Sequence, residues 1–218
     1  MPDPLKHAIA GALHGILEVR GFGRIAHRVY DVATRLRLDT PHVANTGSLG
    51  DSLLRGAQPT PSGFATLRRQ GVDTVVNLRP ESDWEATVVE RCGMRYHKVP
   101  LSVMGPPTRD QALAFLAITT DPASGTVFFH CYHGSDRTGA MGAVYRIAAD
   151  GWDFDRAVAE MRHYGFHDGY QDTKLEFLRD FQAYWQGLPD ARRLALLHRS
   201  SGREQEIPAL DAAPPLQH

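Results

Sequence analysis

The stretch Thr126-Val127-Phe128-Phe129-His130-Cys131-Tyr132-His133-Gly134-Ser135-Asp136-Arg137-Thr138-Gly139 changes character twice within a few residues. Its first four residues are β-branched or aromatic and are bounded upstream by Pro122 and Gly125, which suits a fully buried strand. From Thr138 the period changes. Met141, Val144 and Ile147, with Ala140 and Ala148, recur at three- and four-residue steps, and Gly151 follows the last of them, so a helix is expected over about 137–150. The short loop between strand and helix carries a thiol at one end, Cys131, and a guanidinium at the other, Arg137. It feeds a helix N-terminus, where unpaired N–H groups and the positive dipole end favour an anion, whether a phosphate or a thiolate.

A thiol at a helix N-terminus beside an arginine ionises far more readily than a free one, so Cys131 is expected to attack as the thiolate. Arg137 supplies a planar fork that matches two phosphoryl oxygens, a geometry lysine cannot reproduce. Gly134 and Gly139 permit a tight turn and close helix packing. These parts are what phosphate-ester cleavage through a cysteine requires, with no metal or cofactor.

The segment resembles the active-site motif of the cysteine-dependent protein tyrosine and dual-specificity phosphatases: His130-Cys131, five intervening residues, then Arg137-Thr138. The resemblance continues through Leu54-Arg55-Gly56-Ala57-Gln58-Pro59, Gly63-Phe64, Gly71-Val72-Asp73-Thr74-Val75-Val76-Asn77-Leu78-Arg79, Tyr145-Arg146-Ile147 and Gly151-Trp152, and is similar to compact atypical members of that superfamily, bacterial ones among them. It spans roughly residues 53–185. It implies that Cys131 is the nucleophile of a phosphocysteine intermediate and that Arg137 binds the phosphoryl group. By the same resemblance Thr138 helps the thiolate leave, His130 orients the loop, and Tyr132, His133, Gly134, Ser135 and Asp136 line the substrate site.

Relatives commonly place an aspartic acid on a loop ahead of the next helix, where it protonates the leaving oxygen. Here that region reads Val99-Pro100-Leu101-Ser102-Val103-Met104-Gly105-Pro106-Pro107, without a carboxylate. Asp110 follows, but Thr108 and Gln111 form a capping box there, so Asp110 has an adequate role as a first-turn acid on a helix dipole. Asp136 lies inside the loop, where like charges would keep a carboxyl protonated and ready to donate. Asp136 is favoured over Asp110, with catalysis lacking a dedicated acid as the third option.

Ser135 occupies a position where lipid-directed relatives carry lysine, which lowers the expectation of a multiply phosphorylated lipid or inositol. The expected partner is a phosphorylated protein or a small phosphorylated molecule, with phosphate or sulfate as the loop's anion. A phosphate-binding pseudophosphatase is the alternative from a different class. Arg79 ends an apolar strand and could touch phosphate, although pairing with Glu81 or Asp83 is the simpler reading.

Further out, strands are expected at 53–56, 72–78, 95–99 and 126–130, alternating with helices at 61–70, 84–91 and 109–119. Thr60-Pro61 starts the first helix and Gly71 stops it. Asp153 caps a further helix with Phe154, Ala157, Val158 and Met161 inward, and the last helix carries Leu178, Phe181 and Trp185 on one stripe. This alternation predicts an α/β fold of the dual-specificity phosphatase type, a mainly parallel sheet of four to five strands with helices on both faces.

With 218 residues, 42% hydrophobic and 22% charged, the chain is ordinary globular material. A net charge of −1 offers no basic field for nucleic acid. Two cysteines make no disulfide scaffold; Cys92 reads as a packed or partly exposed thiol, with a regulatory disulfide to Cys131 as the alternative. The histidines show no paired ligand spacing. The expected organisation is an N-terminal helical extension over 1–45, a catalytic domain over 46–190, and a helical end with a disordered tail over 191–218. Residues 8–19 are too short and mixed to span a bilayer and suggest an amphipathic helix, packed on the domain or touching a membrane. A cytoplasmic location is expected, with the periplasm as the alternative because some relatives are exported.

Overall fold

The computed structural model describes residues 43–166, 169 and 172–197. The expected N-terminal helix and C-terminal tail lie outside these residues. In chain order the elements are β1 (Gly47–Ser48), β2 (Leu53–Gly56), α1 (Pro61–Arg69), β3 (Thr74–Asn77), α2 (Glu85–Arg91), β4 (Arg95–Lys98), α3 (Arg109–Thr119), β5 (Val127–His130), α4 (Asp136–Ala148), α5 (Phe154–His163), α6 (Asp172–Gly187) and α7 (Asp190–Leu197). The strands form one five-stranded sheet in the order β1-β2-β5-β3-β4. All pairings are parallel except the β1–β2 hairpin. The fold is therefore the mainly parallel α/β arrangement expected, with the hairpin partner β1 as the element the pattern did not reveal.

Alternation along the strands assigns side chains to the two faces. Val75 and Phe128 join Phe64 and Leu67 of α1 and Val89 of α2 in one apolar cluster. Val76, Val127 and Phe129 join a larger cluster with Phe115 and Leu116 of α3, Met141 and Val144 of α4, Val158 of α5, Phe181 of α6 and Leu196 of α7. Helices thus cover both faces, as a parallel sheet requires.

The helix boundaries follow their local chemistry. Thr60 accepts from the Gly63 N–H at the start of α1, and Gly71, with φ +91°, turns the chain away after it. Thr108 and Gln111 form the anticipated capping box on α3, and Asp153 caps α5 by accepting from the Arg156 N–H. β3 begins two residues after Val72, because the backbone N–H groups of Asp73 and Thr74 both turn to the Thr126 carbonyl rather than into a regular ladder. β5 is central, and its last residue pairs with Gly56 of β2 and Asn77 of β3. Three strand ends therefore meet where Cys131 begins its loop, at the carboxyl edge of the sheet, where open α/β sheets hold their ligands.

Candidate active site

Between β5 and α4 the chain makes the loop that the sequence places there, and its backbone is tied on several sides. Gln58 donates its backbone N–H to the Tyr132 carbonyl at 3.0 Å, and Leu78 donates to the His130 carbonyl at 2.9 Å. Asn45, itself at φ 51°, donates from Nδ2 to the carbonyls of His133 at 3.1 Å and Tyr164 at 3.0 Å. Gly134 has φ +72°, and a Cβ there would lie 2.6 Å from the Ala57 nitrogen. Only glycine fits, for backbone and steric reasons together.

Arg55 supports the same point from beneath. It is fully buried, donates from Nη2 to the Gly134 carbonyl at 2.5 Å, and lies 3.9 Å over the Tyr164 ring. Burial pushes its guanidinium down to about 10, opposed by the charges of Tyr164, Glu160 and Cys131, so it stays a cation at neutral pH.

Cys131 is 3% exposed and Arg137 is 6% exposed, at the two ends of the loop. The Ser135 side chain caps none of the first N–H groups of α4, which leaves that end of the helix for an anion. The Ser135 and Thr138 hydroxyl oxygens are buried without a hydrogen-bond partner, and both come from the loop–helix junction. Buried hydroxyls in this condition call for an acceptor, and the thiolate or a bound oxyanion would supply one.

Arg137 is held by Glu81, from the segment after β3. Nη1 donates to Oε1 and Oε2 at 3.2 and 3.1 Å, and Nη2 donates to Oε1 at 3.2 Å. This end-on contact leaves the Nε–H and the remaining Nη2–H for a ligand. Burial alone would raise the Glu81 carboxyl, but the bonds from Arg137, its own backbone and Arg79 bring it down to about 2. Arg79 donates from Nε to Glu81 at 3.0 Å and from Nη1 to Gln58 at 2.6 Å, with its guanidinium 4.9 Å from the centre of the Tyr132 ring. The pairing expected for Arg79 is therefore with Glu81, while Asp83 bonds Lys98.

On the other side of β5, His130 is fully buried against Phe128 and Phe64. Its Nδ1 lies 3.2 Å from the Cys131 carbonyl and its Nε2 lies 3.1 Å from Glu85 Oε2. Glu85 is equally buried and also accepts from the Ser82 hydroxyl. Burial works to raise its carboxyl, but His130, Ser82 and Gln58 outweigh that and hold it below the ordinary range.

A family model described as "DSP-PTPase phosphatase fused to NAD+ Kinase" matches residues 38–180. The chain belongs to the DSP-PTPase phosphatase family. The curated dual specificity protein phosphatase TpbA of Pseudomonas aeruginosa is 33% identical over 162 residues, covering 70% of this chain and 66% of TpbA. A crystal structure of a TpbA variant in complex with pTyr superposes with TM-score 0.51 at 31% identity, covering 70% of this chain and 90% of that one. The core catalytic domain of the PP-IP phosphatase SIW14 from S. cerevisiae, crystallised with citrate, shares the fold at TM-score 0.59 and 20% identity, covering 70% of this chain and 91% of that one.

Within this DSP-PTPase fold, every residue singled out between His130 and Thr138 falls on one loop and the first turn of α4. Tyr132 and His133 are half-buried at the rim, ring to ring at 4.6 Å. Asp136 takes the first position of α4 and is half-buried, with Lys174 close enough for the two charges to interact. Asp110 is exposed in the first turn of α3, the helix-dipole position expected for it. Cys92 and Cys131 are both free thiols in clusters on opposite faces of the sheet, so the alternative of a disulfide between them is set aside.

Sequence reading missed Glu81 as the partner of Arg137, and it gave no role to Glu85, Asn45, Arg55 or Lys174. Glu85 carried a usable signal: a carboxylate four residues before the buried Val89 stands on the inward stripe of α2. Arg55 did likewise, as an arginine within an otherwise apolar strand.

Proposed function

We propose that this chain is a phosphomonoester hydrolase acting through a phosphocysteine, with phosphotyrosine or phosphoserine and phosphothreonine in proteins as its substrates. The observation that carries the reading is the pairing of Cys131, at the positive end of α4, with an Arg137 fork whose free N–H groups are oriented by Glu81. The TpbA variant solved with pTyr supports a phosphotyrosine substrate.

In this reading the Cys131 thiolate attacks phosphorus in line with the ester oxygen. As the S–P bond forms and the P–O bond breaks, negative charge on the equatorial oxygens meets Arg137 and the N–H groups of the loop. Asp136 gives its proton to the departing oxygen. Water then attacks phosphorus, Asp136 takes a proton from it, and the S–P bond breaks to release inorganic phosphate. The Thr138 hydroxyl donates to the leaving thiolate, and His130, locked by Glu85, fixes the loop. Tyr132 and His133 flank the group that carries the phosphate.

A panel of phosphopeptides, phosphoinositides, inositol phosphates and a generic aryl phosphate tests this against Cys131→Ser, Asp136→Asn and Asp110→Asn. Peptide turnover abolished by Cys131→Ser, and slowed by Asp136→Asn with poor leaving groups, is the expected result. An unchanged Asp136→Asn rate would remove Asp136 as the acid. Preference for inositol phosphates or lipids would move the substrate assignment, and phosphate binding without any turnover would make the chain a pseudophosphatase.

A further inference from the structure

Three successive carbonyls of the loop between β5 and α4 are held by donors from one side. Tyr132 accepts from the Gln58 N–H at 3.0 Å, His133 from Asn45 Nδ2 at 3.1 Å, and Gly134 from Arg55 Nη2 at 2.5 Å. All three donors come from the β1–β2 side of β5, whereas Glu81, which holds Arg137, comes from the segment after β3 on the other side. In a planar trans peptide the carbonyl and the N–H that follows it point in opposite directions. The N–H groups of His133, Gly134 and Ser135 therefore turn away from β1 and β2. Backbone fixes the first of these peptide planes, and side chains fix the other two.

The fold makes room for both side chains. Gly47 faces Arg55 across the β1–β2 pair, and a Cβ there would overlap the Tyr164 hydroxyl, so this glycine admits the ring on which the Arg55 guanidinium rests. On α4, a Cβ at Gly142 would lie 3.6 Å from Arg55 Nη1, so the helix also packs closely on the guanidinium. Among the described residues the bond to the Gly134 carbonyl is the one hydrogen bond that Arg55 makes, and Nε and Nη1 are buried without a partner. A fully buried cation is costly, and the polar bonding of this one is spent on the loop. Asn45 stands at φ 51°, a left-handed backbone that asparagine accepts more readily than most residues, and its amide joins the His133 carbonyl to that of Tyr164.

We propose that Arg55 and Asn45 are positioning residues for the reaction: by holding the Gly134 and His133 carbonyls from behind, they aim the Ser135 and Gly134 N–H groups at the phosphoryl oxygens. The proposal rests on that loop being a phosphoryl site. Donors fixed in advance toward developing negative charge need no reorganisation as the charge appears, and a peptide plane free to rotate would lose that advantage.

Amide ¹H–¹⁵N spectra with and without tungstate test this in wild type, Arg55→Met, Arg55→Lys and Asn45→Gly, alongside kcat/KM on an aryl phosphate. Asn45→Gly removes the donor and keeps a residue that tolerates the left-handed φ. In wild type, tungstate is expected to move the His133, Gly134 and Ser135 amide protons downfield. Arg55→Met loses the Ser135 shift and Asn45→Gly loses the Gly134 shift, while His133, whose plane is held by the Gln58 backbone, responds in both. Arg55→Lys keeps a donor and retains more of the Ser135 shift than Arg55→Met. Tungstate affinity falls about tenfold and kcat/KM by about 10- to 100-fold in Arg55→Met and Asn45→Gly. A thermal melt checks folding, and should Arg55→Met not fold, Arg55→Lys and Asn45→Gly carry the test. Wild-type Ser135 and Gly134 shifts in the folded variants would overturn the proposal. So would an equal loss of all three shifts in each variant, which would make Arg55 and Asn45 general supports of the loop. Wild type that neither hydrolyses aryl phosphate nor binds tungstate would overturn the phosphatase reading and the positioning role with it.

Discussion

Glu81 illustrates what a single residue contributes when two cations share it. Its carboxylate is fixed by Arg137 and Arg79 together, so one carboxylate sets the orientation of the Arg137 guanidinium and anchors the rim at the same time. Because Glu81 stays ionised down to about 2, it holds Arg137 across the whole working pH range. Glu81→Gln should therefore lower kcat/KM on an aryl phosphate by roughly 10- to 100-fold through misplacement of the guanidinium. It should leave the acid limb of the pH profile where it was, and a shifted acid limb would assign that limb to Glu81 instead. In sequence Glu81 stands two residues from Arg79, and local pairing was its natural reading. Its bond to Arg137, 56 residues away, is visible only once β3 and β5 lie side by side.

The element that does most for the site is the β5–loop–α4 unit, and its tightest point is Gly134. A methyl group there would have to occupy the space of the Gly56 and Ala57 backbone, as well as accept a left-handed φ. Gly134→Ala should cost about 2 kcal/mol in urea unfolding, from the backbone strain and displacement of the loop. Aryl phosphatase activity should fall further than stability, because the shifted loop carries both Cys131 and Arg137. Equal activity in a correctly folded Gly134→Ala would show that the loop tolerates the shift. The existence and type of these elements were legible in the sequence. The strand at 126–130 and the following helix announced themselves by a change of period, and the caps at Thr60, Thr108 and Asp153 stand where their residue types put them. The β1 hairpin was not legible, because two residues carry no periodicity.

At the scale of the molecule, the fold depends on carboxylates held ionised. Glu85 is held low by His130, Ser82 and Gln58 against the pull of its burial, and Asp73 by the Thr126 N–H and Arg68. A carboxyl depressed in the folded state contributes stability that is fully present above its ordinary value, near about 4.3 for glutamate and 3.9 for aspartate, and that is lost as pH falls through the folded value. Urea unfolding should accordingly show stability falling as pH drops below about 5. Glu85→Gln should flatten that slope and cost about 1–3 kcal/mol at neutral pH, since it leaves the buried His130 without its charged partner. An unaltered slope in Glu85→Gln would place the acid sensitivity elsewhere.

The sequence by itself determined which residues of the proposed chemistry lie within one continuous stretch. Cys131, the glycine at 134, Arg137 and Thr138 are joined by a loop too short to be arranged in many ways, and the helix that follows fixes the field they share. Only the tertiary structure decided which distant groups orient them: Glu81 on Arg137, Glu85 on His130, and Arg55 beneath Gly134. Those contacts join chain segments brought together by parallel strand pairing and helix packing. Side-chain periodicity reports which face a residue turns inward, but not what it meets there.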